Sequence, residues 1–327
     1  MKILPYDPQT LALPKALDDS RLGNHVKPVT IATLAEVPHG IAILGFADDT
    51  GIRNVGGRLG AASGPRALRE KLYRFTTGAP LQPVYDLGDL PAQATIEETH
   101  AAGAELVRRA LENGHTPVVV GGGHDFGFPH ALGQLQARGA KPMAVVNIDA
   151  HLDVRPVQGA ITSGSPWFLL REHPLFGKSR IEEFGIQDHC NAHSLLAYAK
   201  SRGLGMNWLT EIRAGRGGAA GAFSRLLKRL AGFDSTLISF DIDSVQWADA
   251  PGCSAPQTLG FTAEEAIHMS LLSGQQKKVK SFGLFELSPP LDPDGRTATL
   301  AAHCINAFLR GKGVWGKNRV SGKAARA

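Results

Sequence analysis

The chain has 327 residues, of which 43% are hydrophobic and 20% charged, a composition typical of a globular protein with a large buried core. Its three cysteines are widely spaced and form neither a CxxC pair nor a disulfide framework, which favours a reducing compartment. The sequence has no apolar run of about 18 residues and no secretory signal, so we expect a cytoplasmic protein without a membrane partner.

The basic character of the chain, with a net charge of +5, raises the question of nucleic-acid binding. Part of the excess charge lies near the end of the chain, at Arg310, Lys312, Lys317, Arg319, Lys323 and Arg326. Basic residues interleaved with aromatic ones, which stack on single-stranded nucleic acid, are missing. We therefore expect a solvated basic C-terminal tail over 309–327 and no nucleic-acid partner.

Short apolar runs alternate with helical patterns from residue 40 onward, as in a parallel sheet covered on both faces. The predicted strands are 40–45, 84–87, 117–120, 143–148, 179–185, 205–209, 236–240 and 281–285. The predicted helices are 65–75, 96–113, 193–202, 222–231 and 263–272, the last with a capping box at Thr262 and Glu265. The strand count alone allows either an open sheet or a closed barrel.

The domain organisation predicted from this pattern is a single domain over 1–327, because the sequence has neither an internal repeat nor an interdomain linker. Its core spans about 40–308, preceded by an N-terminal extension over 1–39 and followed by the basic tail. The glycine- and alanine-rich segment 215–221 is predicted to be a long flexible loop.

Three of the predicted strands end abruptly in acidic and histidine residues. The segments are GGGHD at 121–125, DAHLD at 149–153 and DID at 241–243. In open parallel sheets, ligands bind in the crevice beyond the carboxyl ends of the strands. The candidate metal ligands are His124, Asp149, His151, Asp153, Asp241 and Asp243.

Metal binding explains this clustering better than structural roles do. Each motif alone could be a glycine turn, a helix cap or a solvated loop, but their coincidence at three strand ends is hard to explain in that way. Four carboxylates and two imidazoles in one crevice would repel one another and lose hydration. Two divalent cations with shared carboxylates would neutralise them, and the nitrogen and oxygen donors favour manganese or a similar ion over structural zinc.

These motifs resemble those of the ureohydrolase superfamily, which includes arginase, agmatinase, guanidinobutyrase and formimidoylglutamase. DAHLD matches the DAHxD signature, SFDID at 239–243 resembles the SxDxD motif, and Glu286 resembles the glutamate of an E-x-N-P segment. The resemblance spans about 41–307. It implies an arginase-like three-layer α/β/α sandwich with a mostly parallel sheet of about eight strands, and a homo-oligomer, either a trimer or a hexamer.

The resemblance also implies two Mn²⁺ ions per chain. One ion would be bound by His124, Asp149, Asp153 and Asp241, and the other by Asp149, His151, Asp241 and Asp243. Asp149 and Asp241 would bridge the two ions.

Within the superfamily, the departures from arginase and agmatinase resemble formimidoylglutamase. Ser163 replaces a histidine before Gly-x-Pro, and Gln246 replaces the third aspartate of DxDxxDP. The segments 51–58, 153–155 and 250–256 also resemble formimidoylglutamase. Arg155 suits a substrate with carboxylates because a guanidinium can bind a carboxylate through two hydrogen bonds, although a surface salt bridge is the alternative.

The implied reaction is hydrolysis of the formimino group of N-formimidoyl-L-glutamate by hydroxide activated between two metals. Asp153 would carry a proton to the leaving amine, and Glu286 would stabilise the positive charge of the amidinium. Ser163 is a third catalytic candidate that would orient the substrate, with a turn role as the alternative. Gln187 is a candidate for substrate contact, with a loop role as the alternative. Asp125 would hold an imidazole N–H.

Two other functions stay open. The same metal centre could act on agmatine or a guanidino acid and release urea. A third hypothesis is a non-catalytic, metal-dependent assembly or regulatory protein, although the intact ligand set and Glu286 argue against it. In either enzyme, the partner is a small amidine or guanidine.

Overall fold

The computed structural model describes residues 3–11, 13, 21–78 and 82–314. Within these residues, nine strands form one sheet in the order β1-β3-β2-β4-β9-β8-β5-β6-β7. Every neighbouring pair in this order is parallel. The strands are β1 (Val26–Pro28), β2 (Ile41–Ala47), β3 (Val84–Pro91), β4 (Thr116–Val120), β5 (Met143–Ile148), β6 (Arg180–Ile186), β7 (Gly205–Trp208), β8 (Ser235–Asp241) and β9 (Val279–Phe285).

Helices cover both faces of the sheet. They are α1 (Thr50–Asn54), α2 (Gly64–Leu72), α3 (Ile96–Glu112), α4 (Gly127–Ala137), α5 (Pro166–Glu172), α6 (His193–Ser201), α7 (Leu209–Ala214), α8 (Gly218–Arg229), α9 (Ala263–Gln275) and α10 (Arg296–Gly311). Successive strand residues point to opposite faces, so Val118 packs in the layer with α2, α9 and α10, and Val119 packs with α3. Burial on both faces explains why the strands are continuous apolar runs.

This architecture confirms the predicted three-layer α/β/α sandwich. All eight predicted strands are present, and the capping box of Thr262 and Glu265 begins α9. The ninth strand, β1, was missed because it has three residues and only Val26 is buried, which is too short for a periodic pattern. In the described part of the chain, no helix has the length and apolar character needed to cross a membrane.

Two local predictions differ from the structure. The flexible loop predicted over 215–221 is wrong in its second half because α8 begins at Gly218. The predicted tail starts at 309, yet α10 continues to Gly311 and Lys312 Nζ donates to the carbonyl oxygen of Val279 at 2.5 Å. The basic residues Lys317, Arg319, Lys323 and Arg326 lie outside the described residues.

The order of the strands in the sheet places the four segments that carry the candidate site residues side by side. In the sheet, β9 and β8 lie between β4 and β5, and all four strands run in the same direction. Their carboxyl ends therefore meet at the middle of one sheet edge. Asp241 is the last residue of β8, and the loops that follow the four strands carry the other five candidate ligands and Glu286.

Candidate metal centre

His124 lies at the centre of the first group of ligands. It begins a short 3-10 turn directly after β4, and its Nδ1 is 3.1 Å from Asp149 Oδ2, 2.9 Å from Asp153 Oδ2 and 3.0 Å from Asp241 Oδ2. Asp149 follows β5 and Asp241 ends β8, so three separate strands position this group.

His151 forms a second group beside the first. Its Nδ1 is 3.3 Å from Asp149 Oδ1 and 3.2 Å from Asp243 Oδ2. Asp149 belongs to both groups, and within each group the ligand atoms lie within 4.8 Å of one another. The structure thus brings all six predicted ligands together. Asp241 belongs to the first group only, since its Oδ1 accepts the backbone N–H of Asp243 at 2.8 Å.

The electrostatics of the cluster are those of crowded, buried charges. Burial and the neighbouring Asp243 and Asp149 raise the pKa of Asp241 well above its usual value, and burial raises the pKa of Asp243 to about 7. Burial alone would lower the pKa of His124, but the surrounding carboxylates, Asp241 foremost, raise it well above its usual value. The cluster without cations therefore retains protons that free side chains would release.

The donors of this cluster suit two divalent cations. His124 Nδ1 and Asp243 Oδ1 are buried, and neither has a hydrogen bond of good geometry to any described residue. Buried polar atoms are normally paired, so an unpaired atom in each of two adjoining groups of candidate ligands indicates a missing partner. Imidazole nitrogen and carboxylate oxygen are ligands for manganese and similar ions.

The orientation of His124 is set by its other ring nitrogen and by aromatic rings. Nε2 lies 2.8 Å from the hydroxyl of Ser239, and the ring stacks on Phe285 and meets the edge of Trp167. Such contacts fix the ring and the nitrogen offered to a metal. Our sequence analysis assigned no role to Ser239. The signal was available, because Ser239 precedes Asp241 by two residues and so lies on the same face of β8.

Glu286 is brought to the centre, as predicted from its motif, but it also has a structural role. It is buried, with a φ of +68°, and its Oε1 accepts the backbone N–H of His124 at 2.9 Å. Burial, and next the charge of Asp241, raise the pKa of Glu286 well above its usual value. This carboxyl group thus connects the end of β9 to the turn that carries His124.

The DAHLD loop is held by a residue that our sequence analysis did not consider. Asn191 Oδ1 accepts the N–H of Leu152 at 2.8 Å, and its Nδ2 donates to the carbonyl oxygens of Ala150 at 3.0 Å and Gln187 at 2.8 Å. Asp153 has a φ of +46°, a backbone conformation that costs energy in a non-glycine residue. These bonds offset that cost and keep Asp153 beside His124.

Three other predicted site residues form hydrogen bonds with residues other than the candidate metal ligands. Asp125 does hold an imidazole, but that of His100, with Nε2 to Oδ2 at 2.7 Å, rather than that of a metal ligand. The Gln187 side chain donates to the carbonyl oxygen of Leu259 at 2.9 Å, which joins two loops. Ser163 is half-buried, and its backbone N–H donates to the carbonyl oxygen of Gly51 at 3.0 Å.

Arg155 is exposed and lies two residues beyond Asp153 in the chain. Its backbone N–H donates to the carbonyl oxygen of Gly164 at 2.7 Å, and it forms no ion pair with any residue in the described ranges. The salt-bridge alternative is therefore not what the structure contains. Arg58, by contrast, donates to the carbonyl oxygens of Cys253 and Ser254 and so connects two loops.

Comparisons with known proteins agree with this geometry. The model of the arginase family matches residues 39–310. A formimidoylglutamase of Geobacillus thermodenitrificans is 32% identical over 281 residues, covering 84% of this chain and 86% of that protein. The crystal structure of Trypanosoma cruzi formiminoglutamase with Mn²⁺ has a TM-score of 0.78 and 31% identity, covering 88% of this chain and 99% of that one. Bacillus subtilis formimidoylglutamase, 23% identical with a TM-score of 0.83, shares the fold.

Proposed function

This chain belongs to the arginase family, and on that premise we propose that it hydrolyses the formimino C–N bond of N-formimidoyl-L-glutamate to L-glutamate and formamide. The observation that carries the proposal is the convergence of two imidazoles and four carboxylates on one space at the sheet edge. The formimidoylglutamase relatives, about one third identical over most of the chain, support the choice of substrate.

The proposed cofactor is two Mn²⁺ ions per chain. His124, Asp149, Asp153 and Asp241 would bind one ion, and Asp149, His151, Asp241 and Asp243 the other. Two bound divalent ions supply a water of lowered pKa, and hence hydroxide, at neutral pH. The dual use of Asp149 is supported by its place in both ligand groups, whereas the bridging role of Asp241 rests on the family resemblance.

Asp153 and Glu286 are the proposed catalytic residues. Asp153 hydrogen-bonds the attacking water, takes up its proton and passes it to the leaving amine nitrogen. Glu286 uses its Oε2 to accept an N–H of the formimino group, since its Oε1 is bound to the backbone of His124. An acceptor at this point stabilises the positive charge of the amidinium as the carbon is attacked.

Arg155 is the proposed ligand of a substrate carboxylate. Its guanidinium is exposed beside the centre and has no protein carboxylate as a partner in the described chain, which suits an anionic substrate. Ser163 would orient the substrate and Gln187 would contact it. Support for Gln187 is weaker, because its amide nitrogen already bonds Leu259.

The test is an assay of the manganese-loaded enzyme with four compounds: formimidoylglutamate, agmatine, arginine and guanidinobutyrate. We expect turnover of formimidoylglutamate with formamide as the product. Urea released from a guanidine alone would establish the second enzyme hypothesis instead. Lack of turnover on every amidine and guanidine, with two manganese ions bound, would favour the non-catalytic hypothesis.

The proposed setting is the cytoplasm, where a single-domain protein with free Cys190, Cys253 and Cys304 would stay reduced. The proposed assembly is a trimer or hexamer of this chain, which the family resemblance supports. Light scattering coupled to size-exclusion chromatography distinguishes these masses from a monomer of 34.8 kDa.

A further inference from the structure

A buried polar pair lies in the sheet directly beneath the metal centre. Asn147 of β5 and Glu183 of β6 are register partners on neighbouring strands, and both are fully buried. Their neighbours on this face, Val145 and Ile181, are apolar and pack against the helices of that layer. An amide and a carboxyl group are therefore exceptional at this position.

The contacts of Asn147 lead to the metal ligands. Its Nδ2 donates to Glu183 Oε2 at 2.8 Å and to Asp149 Oδ2 at 3.2 Å. The opposite oxygen of Asp149, Oδ1, accepts the backbone N–H of His151 at 2.7 Å. Each oxygen of the shared ligand is thus held by one donor, and Asn147 supplies the donor on the side of His124.

This arrangement is not explained by stability. Asn147 Oδ1 and Glu183 Oε1 are buried and have no hydrogen-bond partner among the residues of the described chain. Unpaired buried polar atoms destabilise a fold, and an apolar pair of similar volume at this site would avoid that cost. A contribution to the neighbouring centre accounts for the pair where packing does not.

Glu183 is suited to hold Asn147 without adding charge. Burial foremost raises its pKa well above the usual value, and the charges of Asp149 and Asp153 act in the same direction. A raised pKa favours the uncharged form of this group, and the hydrogen bond from Asn147 acts in the opposite direction. Glu183 accepts one N–H of Asn147 and so directs the other N–H toward Asp149.

We propose that Asn147, held by its hydrogen bond to Glu183, is a positioning residue for Asp149. It fixes the plane of the one carboxylate that belongs to both ligand groups in the described residues, so that its two oxygens face the two cation positions. The inference rests on the proposed dimetal function and adds two residues to it that bind neither metal nor substrate. Removing a residue that hydrogen-bonds a metal ligand typically weakens metal binding by about 10–100-fold.

The test is calorimetric titration of Mn²⁺ into the full-length, metal-free protein. We expect Asn147→Leu to weaken Mn²⁺ binding by about 10–100-fold and Glu183→Gln, which keeps a neutral acceptor, to stay within about threefold of wild type. Electron paramagnetic resonance at two ions per chain should show a spin-coupled pair in wild type and more of the six-line signal of isolated Mn²⁺ in Asn147→Leu.

Gln134→Leu is the matched control. Gln134 is a fully buried amide of α4 that bonds Ser235 and Ser281 across the same face of the sheet, without contact to a metal ligand. We expect this variant to lower the melting temperature of the metal-free protein while leaving Mn²⁺ affinity unchanged. Asn147→Ser, which removes the amide with less steric change, replaces Asn147→Leu if the latter does not fold.

The outcomes separate the inference from the function on which it rests. Wild-type Mn²⁺ affinity and spin coupling in the folded Asn147 variant, beside a wild type that binds two ions, would overturn the positioning role alone. Equal losses of affinity in the Asn147 variant and in Gln134→Leu would also overturn it, because a general loss of stability would then suffice. A wild type that binds no Mn²⁺ would refute the proposed function as well.

Discussion

Asp149 is the side chain on which the two halves of the metal centre depend. It is fully buried, which would raise its pKa, yet the neighbouring imidazoles of His124 and His151 outweigh burial and lower that pKa. The carboxylate therefore stays ionised where its neighbours Asp241 and Asp243 tend to hold protons. A carboxylate of lowered pKa that belongs to both ligand groups is suited to bridge two cations.

Asp241 tests the ligand set. Asp241→Ala removes a ligand of the first group and also the acceptor for the backbone N–H of Asp243, so we expect loss of both ions. Metal analysis after dialysis measures the content per chain. Asp188→Ala, at an exposed aspartate after β6, is the control and should keep wild-type content. Two metals per chain in Asp241→Ala would contradict its bridging role.

Arg155 tests the recognition of an anionic substrate. Hydrogen bonds between charged groups contribute about 1.5–3 kcal/mol, so Arg155→Gln should lower kcat/KM for formimidoylglutamate by about 10–150-fold, chiefly through KM. Arg53→Gln is the control, because Arg53 of α1 is largely exposed and already has Asp49 as an ion-pair partner at 3.9 Å. Equal effects of the two substitutions would argue against a specific contact with Arg155.

The pH dependence of metal binding follows from the retained protons. The pKa of Asp243 is raised to about 7 by burial, and the pKa of His151 is raised well above its usual value by Asp243 and Asp149 despite burial. Mn²⁺ must displace these protons, so its apparent affinity should rise with pH, by roughly tenfold per unit below pH 7 for each proton released. Calorimetry in buffers of different ionisation enthalpy counts the protons. Affinity independent of pH between 6 and 8 would contradict this prediction.

In the glycine turn after β4, the backbone passes very close to Asp48 and Phe285. A Cβ on Gly122 would lie 1.8 Å from the backbone oxygen of Asp48, and one on Gly121 would lie 2.1 Å from the Phe285 ring. A side chain at either position would push the turn, and with it His124, away from the sheet edge. Glycine here serves close approach rather than an unusual φ.

Gly122→Ala is therefore expected to destabilise the protein by about 1–3 kcal/mol or more, as overpacking against backbone does, and to weaken Mn²⁺ binding. Urea unfolding of the metal-free protein measures the change in free energy. Gly232→Ala is the control because a Cβ there meets no atom within 4 Å. Unfolding midpoints that coincide for the two variants would show that the turn can move aside.

At the scale of the whole molecule, a buried ion cluster connects one helical layer to the outer part of the sheet. Arg69 of α2 is fully buried and binds both oxygens of Asp86 on β3, at 2.8 and 3.0 Å, while Tyr73 donates to the same carboxylate. Arg69 also donates to Asp89 at 2.5 Å. The cluster is remote from the metal centre and is structural.

Removing one partner of a buried ion pair leaves the other charge buried without compensation, at a cost of about 3–5 kcal/mol. We expect Arg69→Met to lower the free energy of unfolding by that amount. Arg66→Met, one turn earlier on the same helix at an exposed pair with Glu70, should change it by less than about 1 kcal/mol. A change for Arg69→Met as small as that for Arg66→Met would show that Asp86 is neutral or hydrated.

Eight of the nine strands of the described chain, and the six candidate metal ligands that it brings together, could be predicted from the sequence. The central strands of a parallel sheet are buried on both faces, so they read as continuous apolar runs, and charged residues directly after them mark the sheet edge where ligands bind. Those signals are local along the chain. The same locality explains why the short edge strand β1 and the helical part of 215–221 were missed, since their order comes from contacts rather than from pattern.

Only the tertiary structure decided which residues support the ligands. The pairing of His124 with Ser239 joins positions 115 residues apart, and that of Asn147 with Glu183 joins positions 36 apart. Both pairings depend on the order of the strands in the sheet, which places β6 beside β5 and only β9 between β4 and β8. Hydrogen bonds act over about 3 Å in space regardless of separation in the chain. Spacing along the sequence can place Ser239 on the same face as Asp241, but it does not show which distant side chain each residue pairs with.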